Sequence, residues 1–212
     1  IYSLEERSSF GPQFPSHTSL LFLCSFWEYA EDPTTKARVQ TAIINLLDVM
    51  ATRGLHDHLQ GGFFRYCVDG AWTIPHFEKM LYDQAMLLWV YGSAYKCFSR
   101  PQDKLVIEKL LFCLEETFLG AGLFYSAHDA DTNYEEGGTY LWRPEELREA
   151  LSPVEYARLS SLYLLEENVE GKIHLVKKEC TILPQIEKKL LDIRKKREQP
   201  SVDKKYVTCW NA

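Results

Sequence analysis

P-T-T-K-A-R-V-Q-T-A-I-I-N-L-L-D-V-M-A-T-R-G, residues 33–54, places Val39, Ala42, Ile43, Leu46, Leu47 and Met50 at the i, i+3, i+4, i+7 spacing of one helix face. Thr34 or Thr35 is positioned to cap this helix, and Gly54 suits its C-terminus. Upstream, Leu20, Leu21, Leu23, Cys24 and Trp27 repeat the pattern over residues 17–31, and Pro33 stops that helix. Downstream, Met80, Leu81, Ala85, Leu88, Tyr91 and Tyr95 mark a third helix over 77–98. A fourth, over 102–118, turns Leu105, Leu110, Leu111 and Leu114 inward before Gly120 and Gly122. Shorter helices start at Pro144 and Pro153, and a charged one covers 184–198. Residues 166–183 read as irregular or weakly stranded, and a last helix begins after Asp203. There is no β-α-β alternation and no glycine-rich phosphate loop, so the fold class is all-α. Short and long connections alternate. Residues 17–118 are therefore expected to form two antiparallel helix pairs, with the long connections (54–75 and 123–142) at one end.

Hydrophobic residues at 46% and charged residues at 25% describe a globular chain. A net charge of −6 argues against a nucleic-acid surface, and the basic run over 188–205 is broken by Asp192, Glu198 and Asp203 into a solvated face. Cys24, Cys67, Cys97, Cys113, Cys180 and Cys209 form no C-x-x-C pair, which points to reduced thiols and a cytoplasmic compartment. The longest apolar run, near residues 20–27, is far short of the roughly 18 residues of a membrane span. No signal peptide is visible. The chain opens at Ile1 with no initiator Met and ends at Trp210-Asn211-Ala212 with no helix stop, which suggests an internal piece of a longer protein.

Chemistry concentrates in two segments. D-H-L-Q-G-G-F-F-R-Y and W-T-I-P-H-F-E-K-M-L-Y-D together hold Asp57, His58, Arg65, Tyr66, Trp72, His76, Glu78, Lys79, Tyr82 and Asp83. Glu78 with Tyr82, and Lys79 with Asp83, stand at i, i+4 on the expected helix; the second pair reads equally as an ordinary surface pair. His76 would lie just before the first turn, where exposed N–H groups attract acceptors. Such a cluster supplies proton-transfer groups, a cation and rings for stacking, or else a loop held by Arg65 with Asp57 or Glu78. The second segment, Y-S-A-H-D-A-D-T-N-Y-E-E-G-G-T-Y-L-W, carries Asp129 and Asp131 on one side of an extended chain and ends at Trp142. Two carboxylates near a sugar can act as acid and base, can bind hydroxyls, or can merely cap a loop. The D-x-D spacing fails as a calcium loop because Tyr140 stands where the last glutamate belongs, so no metal and no cofactor is expected. His17 reads as a possible helix cap, His56 as a loop residue and His174 as strand surface.

These segments, with F-G-P-Q-F-P at 10–15 and V-D-K-K…W-N at 202–211, resemble the spermatogenesis-associated protein 20 family over nearly the whole chain. The resemblance departs at Gln13, where the family usually has Lys, and at His128, where it usually has an acid. It implies a partial (α/α)6 toroid of the six-hairpin glycosidase and sugar 2-epimerase type, residues 1–212 forming its N-terminal part. It also implies an upstream thioredoxin-like domain and later hairpins that this chain lacks. On that basis a carbohydrate-active or carbohydrate-binding role follows. His76, Glu78, Asp129 and Asp131 would be the catalytic candidates; Asp57, His58, Arg65, Tyr66, Trp72, Tyr82, Asp83 and Trp142 would contact a small polar or sugar-like ligand. The rival readings are a non-catalytic interaction scaffold with unknown protein partners and a truncated product; a sugar titration and a melting curve separate the three.

Overall fold

Two connections, residues 30–32 and 99–100, are only long enough to turn the chain back on itself, and each joins two packed helices. The fold is described for residues 11–212 of a computed structural model, so Phe10 of the F-G-P-Q-F-P motif lies outside the described residues. Helix α1 (His17–Tyr29) pairs with α2 (Pro33–Thr52), and α3 (Leu81–Phe98) pairs with α4 (Pro101–Cys113). Helix α1 also packs along α3, so the two hairpins lie side by side, as consecutive hairpins of an α/α toroid do. Asp32, not Thr34 or Thr35, caps α2: its Oδ2 accepts the Thr35 N–H at 2.8 Å and the Thr35 hydroxyl at 2.6 Å. A cap of this kind is worth about 1 kcal/mol. Pro33 then occupies the first turn of α2, where its absent N–H costs nothing.

The apolar stripe of α2 is buried as its spacing predicts. In α3 the buried face is Leu81, Leu87, Val90, Tyr91 and Ala94, while Ala85 and Tyr95 face outward. In α4, Leu111 is exposed and Val106 takes the inward position instead. The reason in α3 is a late start. Residues 75–76 pair with the nearby 66–67 and residues 79–80 with the distant 127–128, so the helix begins four residues after the expected position, with its inner face reset. Helix α4 continues into a wider turn, Leu114–Phe118, before the second long connection.

Four small sheets tie the connections together. Strand β1 (Tyr66–Cys67) pairs with β2 (Pro75–His76). Strand β3 (Lys79–Met80) pairs with β4 (Ala127–His128), which pairs with β9 (Val202–Asp203), all antiparallel. The hairpin of β5 (Asp131–Thr132) and β6 (Glu135–Glu136) turns at Asn133 and Tyr134, both with positive φ, as a two-residue reversal requires. Strand β7 (Tyr163–Leu164) pairs with β8 (Val176–Lys177). The β3–β4 pairing joins the two long connections directly, so they do meet at one end of the helices. A second core, with Trp142 at its centre, gathers α5 (Pro144–Ala150), α6 (Pro153–Leu162) and α7 (Pro184–Arg194). The final turn, α8 (Thr208–Asn211), docks on α3 through Trp210 and Tyr82, ring centroids 5.1 Å apart. Among the described residues no helix is long and apolar enough to cross a membrane.

Gly61 holds the turn beneath both loops. Its φ is +82°, and a Cβ there would lie 2.2 Å from the Lys109 carbonyl oxygen. Gly61→Ala is expected to lose about 2–3 kcal/mol, from left-handed strain plus a clash that only backbone movement relieves. Gly122→Ala, also at positive φ but facing open space, should lose only about 1 kcal/mol. Equal losses in urea denaturation of the two variants would remove the steric part of this account.

Candidate functional site

A ladder of rings forms where the two long connections meet. Gln13 exchanges backbone hydrogen bonds with Cys67, at 2.7 and 2.9 Å, and this lays Phe14 over Tyr66 with centroids 4.6 Å apart. Across the β1–β2 pair Tyr66 stands opposite His76, and their rings stack at 5.0 Å. Strand alternation turns the neighbouring Cys67 and Pro75 inward and leaves Tyr66 and His76 half-exposed.

Charge runs alongside the ladder. His76 Nδ1 lies 2.6 Å from Glu136 Oε1, and its Nε2 lies 3.8 Å from Glu78 Oε2. The Arg65 guanidinium donates to the same Glu78 oxygen at 2.8 Å and also engages the Tyr82 hydroxyl. The Glu78 carboxylate keeps about 24% exposure, so the ion pair does not seal it from solvent. Beneath, Asp83 in the first turn of α3 accepts from His17 Nε2 at 2.9 Å, at the start of α1. Burial pushes the Asp83 carboxyl up, His17 and Arg65 pull it back, and the net shift is upward; its Oδ2 has no partner among the described residues.

The structure therefore brings Arg65, Tyr66, His76, Glu78, Tyr82 and Asp83 together, and adds His17 and Glu136. His17 is thus a partner of Asp83 rather than a cap. Glu136 belongs to the E-E-G-G tract beyond the Asn133-Tyr134 turn. A two-residue hairpin at N-Y was the signal that could have turned it toward His76. The neighbouring D-x-D pair behaves differently. Asp129 is exposed and binds the Ser201 hydroxyl at 3.1 Å and the Asp131 N–H at 3.3 Å. Among the described residues neither Asp129 nor Asp131 makes a hydrogen bond or ion pair to His76 or Glu78, so the pair acts as a loop turn.

Four other candidates are internal. Asp57, 2% exposed, is enclosed by Lys79 at 2.7 Å and by both terminal nitrogens of Arg194 at 2.8–2.9 Å. Lys79 and Asp83 consequently do not pair with each other. His58 donates Nε2–H to the Arg53 carbonyl at 3.1 Å, which fixes its tautomer and leaves Nδ1 to accept from His56 Nδ1 at 3.3 Å. Both rings are buried, and burial holds His56 down to about 3. Trp72 packs in the core of the first two hairpins, and Trp142, fully buried, faces the Arg197 guanidinium at 4.0 Å rather than an opening. His174, expected on a strand surface, is buried against Phe64 and Phe77 and binds the Gly54 carbonyl at 2.8 Å. Asp57 and His174 are thus taken up by partners far away in sequence, whereas His58 is held within its own loop.

No family model matches the chain. Spermatogenesis-associated protein 20 of Rattus norvegicus is 38% identical over 156 residues, 69% of this chain and 20% of that protein. The Homo sapiens protein of the same name is 36% identical over 159 residues, with the same coverage. An uncharacterized protein of Caenorhabditis elegans is 37% identical over 169 residues, 71% of this chain and 23% of its own length. The chain thus spans about a fifth of the length of the curated relatives it matches. Among solved structures, cellobiose 2-epimerase from Bacillus thermoamylovorans aligns with a TM-score of 0.48 at 12% identity, covering 57% of this chain and 31% of that one. At 36–38% identity over about seven tenths of its length, the chain belongs to the spermatogenesis-associated protein 20 family.

Proposed function

We propose that the ring ladder and its charged edge bind a small, neutral, hydroxyl-rich ligand of the sugar class and transfer a proton on it. The observation that carries this is His76 held between two carboxylates on an accessible surface. Glu136 accepts the Nδ1 proton and so fixes the tautomer, leaving Nε2 free to exchange a proton. The 3.8 Å gap between Nε2 and Glu78 lets one substrate hydroxyl sit about 2.8 Å from both. Arg65 orients the ligand, and Tyr66 and Phe14 supply ring faces. Asp83, whose carboxyl burial shifts upward against the pull of His17 and Arg65, lies beneath this layer with Oδ2 unpartnered among the described residues. In a complete toroid further hairpins would stand over the same surface, and the relatives' greater length leaves room for them.

The test is calorimetric titration of the chain with D-glucose, D-mannose and cellobiose. Saturable binding should be abolished by His76→Ala and weakened about tenfold or more by Glu136→Gln, each leaving the melting temperature within a few degrees. No saturation with any neutral sugar, or saturation indifferent to both substitutions, would favour a scaffold in which the Arg65–Glu78 and His17–Asp83 pairs only fasten the loops.

A further inference from the structure

Along the extended residues 78–80, successive side chains point to opposite sides. Glu78 enters the site described above, whereas Lys79 lines a separate cavity of about 340 Å³. His128, Tyr140, Gln60 and Gln199 share its wall, and the Lys195–Glu116 pair, 3.0 Å apart, sits at its rim. The volume falls within the roughly 300–1,000 Å³ of small-molecule sites.

The charges behind this wall do not balance. Asp57 is the one carboxylate, among the described residues, within ion-pair distance of either Lys79 or Arg194, so a single negative charge serves two cations. All three residues are 3% exposed or less. A buried net positive charge is unfavourable unless an anion or solvent compensates it. The wall also offers unused polar atoms. The Tyr140 hydroxyl makes no hydrogen bond among the described residues, although Tyr140 is only 5% exposed. His128, 7% exposed, gives its Nε2 proton to the Thr117 carbonyl at 2.9 Å, which leaves Nδ1 as an acceptor without a partner. Burial, reinforced by Lys79, holds that ring down to about 4, so Nδ1 stays an acceptor at neutral pH.

We propose that this cavity is a second ligand site, built for a small organic carboxylate that also carries hydroxyls. The carboxylate faces Lys79 and accepts the Tyr140 O–H, and a ligand hydroxyl donates to His128 Nδ1. The excess cation supplies the reason for an anion, and the neutral histidine supplies the reason for a hydroxyl beside it. The site lies on the far side of the strand from the neutral-sugar surface and does not depend on it.

Calorimetry of the intact chain at neutral pH and fixed ionic strength tests it, with D-glucuronate and D-glycerate as probes and D-glucose as the uncharged comparison. Glucuronate and glycerate should bind saturably. Tyr140→Phe, which keeps the ring and removes only the hydroxyl, should raise both dissociation constants at least about tenfold. Lys195→Glu at the rim should weaken both, and His76→Ala should leave both unchanged. The proposal is overturned if neither acid saturates, or if Tyr140→Phe binds as well as the parent with the same circular dichroism. Displacement of glucuronate by equimolar D-glucose would overturn it too.

Discussion

Asp57→Ala lowers the free energy of unfolding by about 3–5 kcal/mol, a large fraction of the roughly 5–15 kcal/mol that holds a domain of this size. The carboxylate is saturated: Oδ1 accepts from the Leu59 and Gln60 amides and from Arg194, and Oδ2 accepts from Lys79 and Arg194. Removing it leaves two buried cations facing each other and two turn amides unpaired. The cost is that of orphaned charge, not of one lost ion pair. Asp57→Ala combined with Lys79→Met should therefore recover part of the loss, because it removes one orphan. Urea denaturation checks both; a single-variant loss under about 1 kcal/mol would mean that water reaches the network. Acid acts on this residue late. Burial alone would raise its pKa, but Arg194 and Lys79 outweigh that and hold it well below the ordinary 3.8. Its contribution is fully present above that value and is lost only as pH falls through the lower folded value.

The same residue shows where a sequence stops being legible. The six apolar positions of α2 are buried because helical spacing is a local property and nothing distant competes with it. The start of α3 is not local. Lys79 and Met80 obey a strand partner at 127–128, and no periodicity within 77–98 reports that pairing. In D-H-L-Q-G-G, Asp57 and His58 have the composition of a binding loop, yet Asp57 belongs to Arg194, 137 residues away. Polar groups gathered by distant partners look, in one dimension, like polar groups awaiting a ligand. Arg65, Tyr66, His76, Glu78, Tyr82 and Asp83 were legible because short-range pairing places them together. Glu136 was hidden because its approach depends on a two-residue hairpin, not on its own neighbours.

Lowering the pH from 7 to 5 removes about 5 kcal/mol of stability, and histidines are responsible. His56, His58, His128 and His174 are buried, leaving His17 and His76 as the accessible ones among the six in the chain. Burial, the largest cause in each, holds His56 down to about 3, His128 and His174 to about 4, and His58 well below 6.5. The unfolded chain takes up four protons near pH 6.5 that the folded chain refuses. Stability is thus whole above pH 6.5 and is lost as pH falls toward the folded values, at about 2 kcal/mol by pH 5 for each of His56, His128 and His174, with His58 acting in the same direction. Asp103 opposes this: burial pushes its carboxyl to about 6, so the folded state gains about 1 kcal/mol from it over the same range. Asp83, also shifted upward, adds in the same direction. The carboxylates of Asp57 and Glu187, the latter held at about 2 by Lys109 and Lys177 against burial, do not titrate in this window. The melting temperature should accordingly be level above pH 7 and fall steeply below 6.5, with cooperative unfolding between about pH 4 and 5.5. His174→Gln, which can still donate to the Gly54 carbonyl, should flatten the slope of stability against pH by about 1.4 kcal/mol per unit, one proton's worth. A stability profile that stays level down to pH 5, or one whose slope is the same in His174→Gln, would show that these rings are charged inside the fold.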